Sequence, residues 1–199
     1  ILKSLGSWSN DCEASYPLPL YQVPPPPDNV VVVSVPPSNA FVKSPPNVNN
    51  AEEMYEKTLE NLPVDVAVFA AAVADFKTKE IKVNKIKKTD FDKIEIEKTK
   101  DIIGNISKHN KLRPSLVIGF AAETTNINEN SRKKIVEKNC DWIVANDVSN
   151  NKIGFDSDYN EVKIFQKDSS EIQRIPLDKK EMIAKKLVEK ISQELKVNG

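Results

Sequence analysis

A single histidine, His109, is the whole imidazole complement of these 199 residues. That scarcity argues against His-based metal sites and against a Ser–His–Asp triad. Cysteine is almost as rare: Cys12 and Cys140 are too few for a disulfide framework or a zinc cluster. So small a count suits a reducing, cytoplasmic setting. No apolar run approaches the roughly 18 residues of a membrane span. No charged stretch followed by an apolar one opens the chain, so no signal peptide is expected. Charge of neither sign is in excess, with 29 basic and 29 acidic residues, which argues against non-specific binding to nucleic acid or anionic membrane. Glycine numbers five, and no G-x-G-x-x-G follows a strand pattern. That absence counts heavily against a Rossmann-type oxidoreductase.

What is present falls into two compositions within one expected domain, 1–199. Residues 1–50 hold ten of the thirteen prolines, five charged residues and Gly6. Pro24 to Pro27 lock φ and remove four amide donors, so neither helix nor central strand can pass through them. Between the proline clusters, Val30 to Val35 reads as a short buried strand. From Ala51 onward strands and helices alternate. Helices are predicted over Ala51–Leu62, Asp101–Asn110, Asn128–Asn139 and Asp178–Val197, the last with Ile183, Leu187 and Ile191 at four-residue spacing beside Val188 and Leu195. Val64–Ala72, Leu116–Ala121 and Trp142–Ala145 are apolar runs of the kind that a parallel strand covered on both faces requires. Ile81–Val83 and Ile94–Ile96 alternate apolar and charged residues, as a half-exposed β-ribbon would. Val162–Phe165 and Ile172–Ile175 form a late hairpin. This order predicts an α/β fold, Rossmann-like, with a mostly parallel sheet and helices on both faces.

In such sheets ligands bind at the carboxyl ends of the strands. The strand patterns end in Val73-Ala74-Asp75-Phe76, in Gly119-Phe120-Ala121-Ala122-Glu123-Thr124 and in Asn146-Asp147. Small residues there admit a ligand to the backbone, and the polar residue can orient it. The alternative reading is that Asp75 and Glu123 simply begin loops or cap helices. Lys85-Ile86-Lys87-Lys88 concentrates positive charge within the ribbon, either to face an anion or to keep an edge solvated. Lys134 and Lys138, four apart on a helix, share one face. They could hold a triphosphate, or simply face water.

Read in order, AAAVADF (Ala70–Phe76), KIKK (Lys85–Lys88), GFAAET (Gly119–Thr124), KKIVEKNCDWIVAND (Lys133–Asp147) and GFDSDYNEV (Gly154–Val162) closely resemble bacterial phosphopantothenate–cysteine ligase. That enzyme is the synthetase half of the bifunctional coenzyme A biosynthesis protein. The resemblance runs from about Ala51 to the C-terminus. It implies a ligase that joins 4′-phosphopantothenate to cysteine through an acyl-cytidylate made from CTP, with Mg2+ accompanying the nucleotide. It implies a homodimer whose ribbon contributes to the interface, and a flavin-dependent decarboxylase domain as a fused partner in the full-length protein. Phe69, Ala70 and Ala71 match a strand end that approaches the nucleotide, and Asp75 an acidic residue that contacts it. Lys85 matches a flap lysine needed for turnover, the one catalytic residue expected. Lys100, Asp101, Ile102 and Ile103 match a nucleotide-contacting turn that opens a helix. Phe120 matches the residue packing by the cytosine ring, and Lys134 and Lys138 the triphosphate-binding pair. No protein metal ligand is implied.

The first fifty residues depart from that family. Its members open with an Asn-x-Ser-Ser-Gly loop that supplies an asparagine to the acyl-cytidylate. Here Ser9-Asn10 is followed by Asp11-Cys12-Glu13, and Val35-Pro36 stands in place of a Gly-Pro pair. Without glycine such a loop cannot readily take positive φ. Either part of the site has been lost, which makes a nucleotide-binding remnant without turnover the rival to a ligase, or residues 1–50 differ from the native sequence and the ligase reading stands.

Overall fold

The computed structural model describes residues 30–34, 41–43, 48–80, 93–149 and 157–197. Seven strands form one mixed sheet in the order β2 (Phe41–Lys43), β1 (Val30–Ser34), β3 (Val66–Phe69), β6 (Leu116–Glu123), β7 (Trp142–Asp147), β8 (Tyr159–Gln166), β9 (Ile172–Lys179). The centre is parallel: Val66–Phe69 pairs with Leu116–Gly119, and Ile118–Glu123 with Trp142–Asp147. Antiparallel strands flank it on either side. The crossovers carry α2 (Ile102–Ser107) and α3 (Ile127–Lys138), while α1 (Ala51–Glu60) precedes β3 and α4 (Lys180–Val197) ends the chain.

The alternation of side chains along each strand builds two cores. On one face Ala67, Phe69, Val117, Ala121, Ile143, Ala145 and Phe165 pack against Met54 of α1, Ile102 and Ile106 of α2 and Ile135 of α3. On the other, Val66, Val68, Leu116, Ile118, Trp142, Val144, Val162, Ile164 and Ile175 receive Ile183, Leu187 and Ile191 of α4. Because α4 is the one helix among the described residues that covers this second group, Leu187→Ala should cost about 2–5 kcal/mol. Among the described residues the helices thus lie on both faces, three against one.

Several elements differ in extent from the sequence pattern. The expected strand Val64–Ala72 pairs only over Val66–Phe69; beyond Phe69 the chain leaves the sheet and residues 70–74 run irregularly. The ribbon forms from β4 (Phe76–Thr78) and β5 (Ile96–Lys98), paired Phe76 to Lys98 and Thr78 to Ile96. Its expected strand Ile81–Val83 lies outside the described residues. β2 was not legible, since Phe-Val-Lys is too short to show alternation. The N-terminal end of α1 is fixed by Asn50, whose side chain accepts from the Glu53 amide at 3.0 Å.

Candidate functional site

A cleft of about 680 Å³ opens where β3 and β6 end. Its floor is the irregular chain Ala71–Asp75 that links β3 to Phe76 at the start of β4, and its far wall is Lys98–Ile103, running from the end of β5 into α2. Two bonds staple these segments together: the Thr99 amide donates to the Asp75 carbonyl at 3.0 Å, and the Thr99 hydroxyl donates to the Ala74 carbonyl. Gly119 and Phe120 of β6 close the back. Adjacent strand residues present opposite faces, so the cleft wraps over the sheet's carboxyl edge. A Cβ on Gly119 would lie 2.7 Å from Ile103 Cδ1 and 3.0 Å from Ile143 Cδ1; glycine there lets α2 sit close on β6. Glycine inside a buried strand is a signal of such an approach.

Four lysines line this region, Lys98, Lys100, Lys134 and Lys138, and the last three are each tied to a carboxylate. Lys134 and Lys138 lean back toward the start of α3, as helical side chains do, which directs both toward the strand ends. Lys134 Nζ stands 2.6 Å from Glu123 Oε1, and Lys138 Nζ 2.9 Å from Asp101 Oδ2. Lys100 pairs with Glu52 of α1 and lies 4.6 Å above the Tyr55 ring centroid. The hydrogen bond to Glu52 holds the Lys100 ammonium charged beyond the usual lysine range. Asp101 also caps α2, its Oδ1 accepting from the Gly104 amide at 3.1 Å.

The two helices are locked together at their far ends. Arg113 donates to Asp141 Oδ1 and Oδ2 at 2.8 and 3.0 Å and to the Ser107 carbonyl at 2.8 Å. Asp141 Oδ2 also accepts from the Val117 amide at 2.7 Å. The Ser107 hydroxyl donates to the Lys138 carbonyl. This network keeps α2 and α3 at a fixed separation beneath the cleft. His109 is occupied in the same region, its Nδ1 accepting from the Lys111 and Leu112 amides at 3.3 and 3.1 Å. Cys140 is buried, and burial pushes its thiol up to about 11.

Of the residues singled out from sequence, Phe69, Ala71, Asp75, Lys100, Asp101, Ile102, Ile103, Phe120, Lys134 and Lys138 come together around the cleft. Ala70 is exposed and does not line it. Lys85, like Lys87, Lys88 and Asn10, lies outside the described residues. Glu52 and Thr99 escaped the sequence reading as site residues, and Glu123, weighed there as a strand-end residue that could orient a ligand, has Lys134 as its partner. Each contacts a residue 11 to 48 positions away, a separation that no local pattern encodes. Among the described residues no group of three or more His, Cys, Asp or Glu is placed to hold a metal ion. No helix among them is long and apolar enough to cross a membrane.

Residues 28–195 match the family described as DNA/pantothenate metabolism flavoprotein C-terminal domain. The chain is 36% identical over 173 residues to the coenzyme A biosynthesis bifunctional protein CoaBC of Escherichia coli K12, covering 82% of this chain and 41% of that one. It is 36% identical over 154 residues to CoaBC of Bacillus subtilis 168, covering 76% and 37%. The chain thus spans about two fifths of the curated relatives it matches. Among solved structures, the C-terminal domain of a CoaBC aligns with a TM-score of 0.58 at 25% identity, covering 84% of this chain and 94% of that one.

Proposed function

Because the chain belongs to the family of DNA/pantothenate metabolism flavoprotein C-terminal domains, we propose that it is a CTP-dependent ligase of coenzyme A biosynthesis, joining 4′-phosphopantothenate to cysteine. The observation that carries this reading is the convergence of Lys100, Lys134 and Lys138 on one cleft that also contains Asp75 and Phe120. Three cations at the carboxyl edge of a parallel sheet suit a triphosphate. Phe120, 36% exposed at that edge, offers a ring for the base.

The reaction follows in two balanced steps. A carboxylate oxygen of phosphopantothenate attacks the α-phosphorus of CTP, the bond to the β-phosphate breaks, and pyrophosphate leaves. The amine of cysteine then attacks the acyl carbon of the acyl-cytidylate, an amide forms, CMP departs and the amine loses a proton. Lys134 and Lys138 hold the phosphates, and Lys85 stabilises charge building at the reacting carboxyl and phosphate. Mg2+ arriving with the triphosphate would neutralise further phosphate charge. The exposed Asp75 carboxylate fits it, because Mg2+ keeps most of its waters and asks for one or two carboxylates.

A homodimer goes with this function, and the ribbon supports it. Lys77 and Glu97, and Lys79 and Glu95, pair at 3.3 and 3.5 Å on one face. On the other, Phe76 and Ile96 are 52% and 60% exposed, an apolar face suited to a second copy. A fused flavin-dependent decarboxylase domain and a cytoplasmic location complete the proposal. Incubation with CTP, Mg2+, phosphopantothenate and cysteine tests it: CMP and pyrophosphate should appear in equal amounts with the amide product. Hydride transfer to a nicotinamide, or product formation without CTP, would sink it.

A further inference from the structure

Lys100, Lys134 and Lys138 differ in the acid that holds them. Glu52 and Asp101 are surface carboxylates, each with a side chain 42% exposed. Glu123 is 10% exposed, the most buried acid of any ion pair among the described residues. Its Oε1 accepts from Lys134 Nζ at 2.6 Å and its Oε2 from Asn130 Nδ2 at 3.0 Å. Asn130 is itself fixed by a bond from the same nitrogen to the Thr125 carbonyl at 3.0 Å. The backbone of Glu123 is held as well, its carbonyl accepting from the Val148 amide at 2.9 Å.

These constraints separate two kinds of ion pair. A surface carboxylate can swing into water and surrender its lysine to an incoming anion. A buried one that loses its only cation is left uncompensated, which is costly. Lys134 must therefore remain with Glu123 when the cleft fills. An ammonium has three donors, so one can stay on Glu123 while two face the cleft. Glu123 does not line the cleft, whereas Lys134 does; any influence of the acid on a ligand passes through the lysine. Protein kinases use the same device, a glutamate that keeps a phosphate-binding lysine in place.

We propose that Glu123 is a positioning residue, a fixed post that sets where the Lys134 ammonium meets the polyphosphate. This rests on the reading of the cleft as a triphosphate site. A lysine without its post must be ordered by the ligand, which weakens binding about two- to tenfold. The effect belongs to the phosphates alone, because the base lies elsewhere in the cleft.

Calorimetric titration of the full chain with CTP and with cytidine tests this. Glu123→Gln should bind CTP about two- to tenfold more weakly and cytidine as well as the parent does. The loss should vanish when Glu123→Gln is made in a Lys134→Ala background, as coupled residues require. Unchanged or tighter CTP binding by a folded Glu123→Gln protein would overturn the proposal, as would an equal loss for cytidine. Should Glu123→Gln not fold, Asn130→Ala removes one hold on Glu123 and keeps both charges. That variant should weaken CTP about twofold, and an unaltered affinity would refute the post. If the parent chain binds no CTP, the nucleotide reading fails, and inorganic tripolyphosphate takes its place in the same titrations. Weaker tripolyphosphate binding by Glu123→Gln would then still support the post, and equal binding would refute it. Failure of the parent to bind either compound overturns both.

Discussion

Gly104→Ala sets two local effects against each other at the helix that walls the cleft. Alanine in place of a helical glycine stabilises by up to about 1 kcal/mol. At this position, however, the new methyl would lie 2.2 Å from Asp101 Oδ2 and 2.8 Å from its Cγ. Asp101 must rotate away, losing the bond from the Gly104 amide at 3.1 Å and the ion pair with Lys138 at 2.9 Å. Loss of an N-cap costs about 0.5–2 kcal/mol, and an exposed ion pair contributes about 0–1 kcal/mol. The net change should therefore run from about zero to ~2 kcal/mol destabilising. In an Asp101→Ala background the clash and the cap are both gone, and the same substitution should stabilise by up to about 1 kcal/mol. Urea unfolding of the four proteins reads this as shifts in midpoint at constant slope. A coupling of about 1–3 kcal/mol is expected. Equal stabilisation by Gly104→Ala in both backgrounds would refute the cap.

Glu52→Gln frees Lys100 from a surface partner and should tighten CTP binding by up to about fivefold, measured by the same titration. The contrast in sign with Glu123→Gln follows from exposure alone. Lys85→Gln should lower kcat far more than it alters CTP affinity, since its charge is asked for in the transition state; an unchanged rate removes Lys85 from the mechanism. In a Cys12→Ser chain, Cys140 should stay unmodified by thiol reagents until the protein unfolds. Its thiol is raised in the folded state, so its contribution to stability is complete below about pH 8.5, where an unfolded cysteine begins to ionise. That contribution falls as pH rises toward about 11. Thermal melts should accordingly show a flatter decline over that range for Cys140→Ala.

The fold was legible where burial is periodic. Val66–Phe69, Leu116–Glu123 and Trp142–Asp147 read as strands because both of their faces are covered. The four-residue spacing of Ile183, Leu187 and Ile191 located α4 because one face of it is buried. Strand limits were less legible: Ala70–Ala72 are as apolar as the strand before them, yet they leave the sheet, and Ala71 and Ala72 floor the cleft. The ribbon was recognised as alternating sequence, but its pairing starts at Phe76, where a single aromatic between polar residues gives no pattern. The cleft lysines stood out only through the order of motifs along the chain. Asp101 and Glu123 were picked out as well, but not their pairing with the lysines, and Glu52 was not, because the three acids sit on different elements, brought together by the α2–α3 lock at Arg113 and by crossovers that no local spacing records.

Activation of a carboxylate with CTP in this cleft is tested most directly by pyrophosphate release from CTP, Mg2+ and 4′-phosphopantothenate in the absence of cysteine. One equivalent of pyrophosphate per active site is expected, with an acyl-cytidylate that added cysteine converts to the amide. CTP binding with no pyrophosphate released would contradict it and leave a binding remnant.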